Sequence, residues 1–318
     1  MSGARHVIEL PVLGIATRFE TNDAEVARCV DDAFGMWRAL AGCAAADVTH
    51  ESPLLVQVDV VAGDEGPPSV DGHAPVRYRC PDATRVVVET ASSIAVSDPL
   101  RRRAVARVTT GLVADRMHFR TEVLEAVTLA LLSHFDRHPV HAAAVALHGR
   151  AVLLAAPSGT GKSTLAYACH AAGMDLLGDD HVRVQLAPAL RVWGWPGRVR
   201  LAPATRWAPT RDHAAAAPES PAGDKAVIET LDRMSAARLV AHDVTVCLLE
   251  RDGGPASLAP IDAAALARAL DAQLAPGFDR FPARWPTVRD ALAARAGWRL
   301  NLSSDPREGV ALVRGILA

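Results

Sequence analysis

The strongest chemical pattern in the chain is an apolar run, Ala151–Ala155, followed by a small-residue loop, Ala156–Gly161, and a helical pattern that opens with Lys162. The order strand, loop and helix is typical of a phosphate-binding loop. Gly159 and Gly161 let the backbone curl so that successive N–H groups point inward, and the helix adds its free N–H groups and its positive dipole. The stretch therefore predicts a site for a chain of phosphates.

The chemistry expected of this loop is the binding of a nucleoside triphosphate, ATP, with Mg²⁺. Lys162 is expected to bridge the β- and γ-phosphates, and the hydroxyl of Ser163 to ligate the metal ion. Ala156 stands where the pattern usually has its first glycine, and a side chain this small still permits a tight turn. The residues expected to hold the nucleotide are Ser158, Gly159, Thr160, Gly161, Lys162, Ser163 and Thr164.

Lysine is rare in this chain. Lysine and arginine together number 34, and only Lys162 and Lys225 are lysines. A compact, flexible ammonium is suited to places that a planar guanidinium does not fit, so Lys225 is a candidate second phosphate contact, with an ordinary surface lysine as the alternative. Arg198 is a further candidate to neutralise phosphate charge, and Arg251 follows the end of an expected strand.

Phosphoryl transfer to an alcohol also needs a carboxylate for the metal ion and a base for the hydroxyl proton. Asp179 and Asp180 follow Lys162 by enough residues for one helix and a returning strand, which would bring them beside the loop. Neighbouring residues of a strand face opposite ways, so both can act only where the strand ends. Two ordinary surface aspartates are the alternative.

These motifs resemble the catalytic domain of the bacterial HPr kinase/phosphorylase family, over roughly residues 138 to 251. The resemblance rests on His141-Ala142-Ala143, on Leu153–Ser163 and on Leu177-Gly178-Asp179-Asp180, in the family's order. It implies an α/β fold like that of phosphoenolpyruvate carboxykinase and transfer of phosphate to a protein serine. It also implies that Asp179 and Asp180 supply the base and a metal contact, the latter assigned to Asp180, and that His141 belongs to the active site.

The chain departs from the bifunctional members of that family in one motif. Their glycine-rich signature after the aspartates is absent, and Trp193–Arg198 stands in its place. The sequence is more similar to kinase-like relatives found beside peptide modification and other biosynthetic functions. The acceptor expected from the resemblance is a serine of a peptide or protein, with a small-molecule alcohol as the alternative. Members of the family often form rings, so a homo-oligomer stays open.

Two other classes of function compete with a kinase. A nucleotide-binding sensor or scaffold would use ATP occupancy without chemistry, and it is favoured if Asp179 and Asp180 turn away from the loop. A transporter or motor ATPase is disfavoured, because the chain has no Leu-Ser-Gly-Gly signature.

Two domains are expected, a smaller α+β module over residues 1–115 and the α/β phosphate-loop domain over residues 116–318. In the first, a helix over 22–41 with Asn22 and Glu25 as a capping pair precedes an antiparallel sheet. Its expected strands cover residues 54–61, 76–80, 85–89 and 104–109.

A helix over 120–138, ended by Pro139, is expected to join the two domains. In the second domain, strands are expected over 142–147, 151–155, 174–184, 191–195, 199–201 and 244–250, and helices over 162–172 and from Asp262 and Asp305. Residues 211–224 lack periodicity and are expected to form a loop that covers the substrate.

Composition excludes several classes of partner. Half of the 318 residues are hydrophobic and the formal charge is −2, which predicts a folded protein that does not use nucleic acid or an anionic membrane as its main partner. No apolar run has the length of a membrane span and the first residues lack a signal-peptide core, so a cytoplasmic location is expected. The five scattered cysteines are expected to be reduced.

Overall fold

The computed structural model describes residues 5–40, 52–69, 72–195, 198–201, 226–229, 236–274 and 282–318. The architecture is mixed α/β, with several sheets and helices. The chain divides into two compact units, Met1–Arg137 and His138–Ala318.

The first unit is built on a seven-stranded sheet in the order β1-β2-β3-β7-β6-β5-β4. Its strands are β1 (His6–Val12), β2 (Ile15–Thr21), β3 (Leu54–Val61), β4 (Arg77–Arg79), β5 (Val86–Glu89), β6 (Ile94–Asp98) and β7 (Arg103–Thr109). Strands β2, β3 and β7 are parallel to one another, and the other neighbours are antiparallel. The expected antiparallel sheet is therefore wrong at its centre, because a helix lies between β2 and β3, and strands β4 to β6 lie between β3 and β7, so that the chain returns in the same direction.

The N-cap of helix α1 (Ala24–Phe34) lies one residue later than expected. Asp23 is the N-cap, and its carboxylate accepts hydrogen bonds from the backbone N–H groups of Glu25 and Val26. Asn22 instead exchanges two hydrogen bonds with the backbone of Val60 on β3. The α-helix ends at Phe34, and a 3₁₀-helix, Gly35–Leu40, follows it.

The helical segment after β7 belongs to the first unit. It comprises α2 (Thr110–Ala114), α3 (Arg116–His118), a π-helix (Phe119–Glu125) and α4 (Ala126–Ser133). Helix α4 lies against β5, β6 and β7, so the division between the units falls after Arg137 and not after residue 115 as expected. The helix also ends at Ser133, before Pro139, which lies in a strand.

The second unit contains three sheets, with a six-stranded sheet in the order β11-β9-β10-β17-β19-β18 at its centre. Its strands are β8 (His138–Val140), β9 (Ala143–Leu147), β10 (Arg150–Ala155), β11 (Asp175–Gly178), β12 (Val182–Gln185), β13 (Arg191–Trp193), β14 (Arg198–Leu201), β15 (Ala226–Glu229), β16 (Val240–Ala241), β17 (Asp243–Glu250), β18 (Ser257–Pro260) and β19 (Gly297–Asn301). A four-stranded sheet has the order β16-β13-β12-β8, and β14 pairs with β15.

The central sheet is covered on both faces. The helices are α5 (Lys162–Ala171), α6 (Ala263–Ala272), α7 (Trp285–Ala293) and α8 (Pro306–Leu317). Alternate residues of β9 point to opposite faces: Ala143 and Val145 pack with α5 and α8, whereas Ala144 and Ala146 pack with α6, α7 and the four-stranded sheet. This burial holds the ends of β9 and β10 in fixed positions.

Several local predictions are confirmed. Strands β9 and β10 form the expected hairpin around His148 and Gly149, both at positive φ. Asp262 and Asp305 cap α6 and α8 as expected. The expected strand over 174–184 is instead two strands, β11 and β12, in different sheets. The expected loop over 211–224 lies outside the described residues.

No helix within the described ranges is both long enough and apolar enough to span a bilayer.

Candidate active site

The loop between β10 and α5 has the backbone geometry that its glycines allow. Gly159 has φ +85° and Gly161 has φ +120°, conformations that residues with a Cβ rarely adopt. The backbone N–H and the hydroxyl of Thr160 both donate to the carbonyl oxygen of Pro157, which closes the turn. The N-cap residue of α5 is Gly161, which has no side chain to cap the helix. The helix therefore presents its first turn to the loop without a capping side chain.

Lys162 points back into this loop. Its side chain is buried, and Nζ donates to the carbonyl oxygen of Ala156 at 2.6 Å and to that of Pro157 at 3.3 Å. A buried ammonium is stable only where acceptors surround it. The lysine thus places a positive charge on the inner side of the loop, under the exposed residues Ser158 and Gly159.

Strand register brings the aspartate pair to the edge of the sheet from which the loop emerges. Gly178, the last residue of β11, pairs with Ala144 of β9, and Ala144 pairs with Leu153 of β10. Because β9 is antiparallel to both neighbours, β10 and β11 end at the same edge. The two strands are separated by two interstrand spacings, about 10 Å. Asp179 and Asp180 therefore leave the sheet beside the loop.

His141 lies between the aspartates and the loop along this edge, because it precedes β9. Its Nδ1 is 3.5 Å from Oδ1 of Asp180. The His141 side chain is 19% exposed, whereas that of Asp180 is 64% exposed, so the histidine is the inner member of the pair. Asp179 is half-buried.

The same residues connect two sheets. The chain passes from β8 to β9 through residues 141–142 and from β11 to β12 through residues 179–181. Val140 pairs with Val182 on one side of this passage, and Ala144 pairs with Gly178 on the other. Two chain segments that run in opposite directions thus cross between the four-stranded and the six-stranded sheet, paired with each other at both ends. The contact between His141 and Asp180 lies in the gap between the two ladders.

Arg251 contacts the loop from its other side. It follows β17, which is parallel to β10, and a Cβ placed on Gly161 would lie 3.4 Å from Nη2 of this arginine. Nη1 donates to the carbonyl oxygen of Ser303 at 3.1 Å. Within the described part of the chain, Arg251 has no carboxylate partner. The sequence placed this arginine at a strand end, but its contact with Gly161 depends on the pairing of β10 with β17.

A metal ion at this site would have few ligands from the protein. Among the described residues, no group of three or more His, Cys, Asp or Glu side chains is arranged to hold a metal. Ser163, in the first turn of α5, and Asp180 offer one oxygen-bearing side chain each. Such a donor set suits Mg²⁺, which keeps most of its waters and phosphate ligands.

Comparisons with known proteins give structural likenesses but no match in sequence. No known sequence family matches the chain, and no curated protein matches it. Among solved structures, the chain is similar to the Hpr(Ser) kinase/phosphatase from Coxiella burnetii, with 12% sequence identity and a TM-score of 0.32. The match covers 57% of this chain and 96% of that chain. A likeness this distant carries no argument about function.

The remaining expected site residues lie in different environments. Thr164 shares the first turn of α5 with Ser163, and both are half-buried. Arg198 is the first residue of β14, a strand that lies beside α5. Lys225 lies outside the described residues.

Two cysteines near the loop are excluded as nucleophiles. Cys169 of α5 and Cys247 of β17 are fully buried in the core beneath the loop. Burial raises the pKa of each thiol to about 12. The reactive thiolate is therefore negligible at neutral pH.

Proposed function

We propose that the second unit is an ATP- and Mg²⁺-dependent kinase that transfers the γ-phosphoryl group to a hydroxyl, with a serine of a peptide or protein as the favoured acceptor. The observation that carries this proposal is the shared sheet edge. The loop of Lys162 after β10 and the carboxylates of Asp179 and Asp180 after β11 leave the sheet side by side. Two strand ends about 10 Å apart leave room between them for a phosphoryl group and an incoming oxygen.

The residues of the loop fit a triphosphate. The ammonium of Lys162 and the uncapped N-terminus of α5 supply positive charge and N–H donors on one side of the loop. Ser163 and Asp180 would hold Mg²⁺, which neutralises charge on the phosphates when it is bound.

The transfer itself needs one proton acceptor. The hydroxyl oxygen of the acceptor forms a bond to the γ-phosphorus, the bond from that phosphorus to the bridging oxygen breaks, and ADP leaves. The hydroxyl proton passes to the carboxylate of Asp179 or Asp180. His141, whose Nδ1 is 3.5 Å from Oδ1 of Asp180, is placed to orient that carboxylate. Lys162 stabilises the charge that develops on the phosphates.

Replacing each aspartate separately tests this proposal. Asp179→Asn and Asp180→Asn should retain ATP binding, and the variant that lacks the base should lose phosphoryl transfer by about 10²- to 10⁴-fold. The measurement is transfer of label from [γ-³²P]ATP to serine peptides, proteins and small alcohols, beside ATP binding by calorimetry. Asp175→Asn is the matched control, because Asp175 lies at the opposite end of β11 and contacts Arg238.

The control should transfer label at the wild-type rate. Wild-type transfer by both Asn variants would refute the kinase proposal. Binding of ATP without transfer to any acceptor would instead support a nucleotide sensor or scaffold.

A further inference from the structure

A cleft of about 650 Å³ opens beside the loop. Its walls come from the loop itself, from the end of β17 and from the last turn of α6. The lining residues that bear on the argument are Pro157, Gly159, Leu249, Arg251, Ala272 and Gln273. The volume is in the range of sites that hold a small organic ligand.

The cleft and the aspartates lie on opposite sides of the loop. In the six-stranded sheet, β17 is the neighbour of β10 on one side, whereas β9 and then β11 lie on the other. A chain of phosphates bound along the loop therefore has one end towards Asp179 and Asp180 and the other towards the cleft. Among the described residues, His141 lies beside Asp180 at the first end, whereas Glu250 and Arg251 line the cleft at the second.

The walls of the cleft suit a flat, largely apolar group with a polar edge. Ala269 and Ala272 of α6 carry only a methyl group each, so they leave space between the helix and the loop. Gln273 ends the same wall, and its Oε1 is buried without a hydrogen-bond partner among the described residues. Arg251 lies where the cleft meets Gly161 and can reach a phosphate next to the organic group.

We propose that this cleft binds the nucleoside of the triphosphate, with its base between the loop and α6 and its terminal phosphate facing the aspartates. The inference rests on the proposed function, since it divides one substrate between two sides of the same loop. It also assigns the approach of the acceptor hydroxyl to the β11 side, because the β17 side is filled by the nucleoside.

Filling the cleft tests the inference. Ala272 is exposed at the end of α6, so Ala272→Trp can be accommodated without disturbing the core and places an indole ring at the cleft wall. We expect this variant to bind MgATP at least tenfold more weakly than the wild type. Binding of magnesium tripolyphosphate, which has no nucleoside, should change by less than twofold. Ala264→Trp, at the exposed first turn of the same helix, is the control and should leave both affinities unchanged.

The wild type provides a second measurement that needs no variant. If the cleft binds the nucleoside, calorimetry should give an affinity for MgATP at least tenfold above that for magnesium tripolyphosphate. Equal affinities, or wild-type binding of MgATP by Ala272→Trp, would overturn the inference and leave the kinase proposal standing. A wild type that binds neither compound would overturn the kinase proposal itself.

Discussion

Among the charged side chains that each unit buries, one in the first unit and one in the second are buried to the same extent but are held in different ways. Glu65 in the first unit and Lys162 in the second are both 7% exposed. Hydroxyl groups of Thr90, Ser93 and Thr109 and the N–H of Ser92 donate to the Glu65 carboxylate. Its partners therefore come from separate segments that the fold fixes around it.

The partners of Lys162 include backbone carbonyl groups of its own loop. Ala156 and Pro157 accept from Nζ, next to Gly161 at positive φ and next to an open cleft. The comparison teaches that burial alone does not distinguish a structural charge from a functional one. Donors from distant segments indicate a charge that holds a fold together, whereas carbonyls of a glycine loop beside a cleft indicate a charge placed for a ligand.

The largest expected effect is on activity, and it should follow from replacing Lys162 but not from replacing Glu65. Lys162→Ala should lower phosphoryl transfer by about 10³-fold, because it removes the positive charge that stabilises the phosphates. Lys162→Arg should fail to restore the rate, since a planar guanidinium does not fit where a single ammonium donates to two carbonyls. The measurements are label transfer from ATP and the far-ultraviolet circular dichroism of each variant. A folded Lys162→Ala variant with wild-type activity would end the functional interpretation of this lysine.

The next largest effect is on stability, and it should follow from replacing Glu65. Glu65→Gln should lower the free energy of unfolding by about 2 to 4 kcal/mol, because it breaks a buried network centred on one carboxylate, while transfer stays within twofold of wild type. Urea unfolding of the full chain measures the change. Glu9→Gln is the control, because Glu9 is an exposed partner of Arg18 and should change stability little.

The same carboxylate gives the sign of a pH dependence. Burial raises the pKa of Glu65, but the hydrogen bonds from Ser93, Thr109, Thr90 and Ser92 outweigh it, so the pKa lies below its ordinary value. A lowered folded pKa contributes stability above the unfolded pKa that is lost as the pH falls through the folded one. The gap in stability between wild type and Glu65→Gln should therefore be largest near neutral pH and shrink below about pH 4. A gap that widens in acid would contradict the assignment.

The smallest expected effect concerns the loop's second cation. Arg251→Gln should weaken MgATP binding roughly tenfold, the effect of removing one charged hydrogen bond to a phosphate. Arg314→Gln is a matched control, because Nη2 of Arg314 also donates to a backbone carbonyl, that of Ala172, but at the far end of α5. Calorimetric titration of both variants should show a loss for Arg251 alone. An equal loss of affinity in both variants would show that the effect comes from removing one positive charge at any position, and not from a contact between Arg251 and a phosphate.

Local patterns could be predicted from the sequence and distant pairings could not. The order of β10, loop and α5 follows from an apolar run, glycines and a helical pattern within a few residues. The parallel pairing of β2, β3 and β7 joins segments that are distant in sequence, and such pairing leaves no local signal. Glycine and proline in residues 62–69 are local signals of a loop, but the burial of Glu65 within it depends on hydroxyls 25 to 44 residues away.

The candidate site divides in the same way. Spacing from Lys162 was enough to expect Asp179 and Asp180 near the loop, since one helix and one strand fit between them. The contact of Arg251 with Gly161 required knowledge of which strand lies beside β10. The sequence could not decide the N-cap of α1, because Asn22 and Asp23 are adjacent and both residue types favour this position. In the fold, Asn22 bonds to the backbone of Val60, which leaves Asp23 as the cap.

Residues 141–142 and 179–181, the two segments that join the four-stranded sheet to the six-stranded one, couple the positions of the two sheets within the second unit. His141 lies in one of these segments and Asp180 in the other, so a small rotation of the four-stranded sheet would move both residues in the same direction. The distance between Asp180 and the loop therefore depends on how the four-stranded sheet is oriented against the six-stranded one.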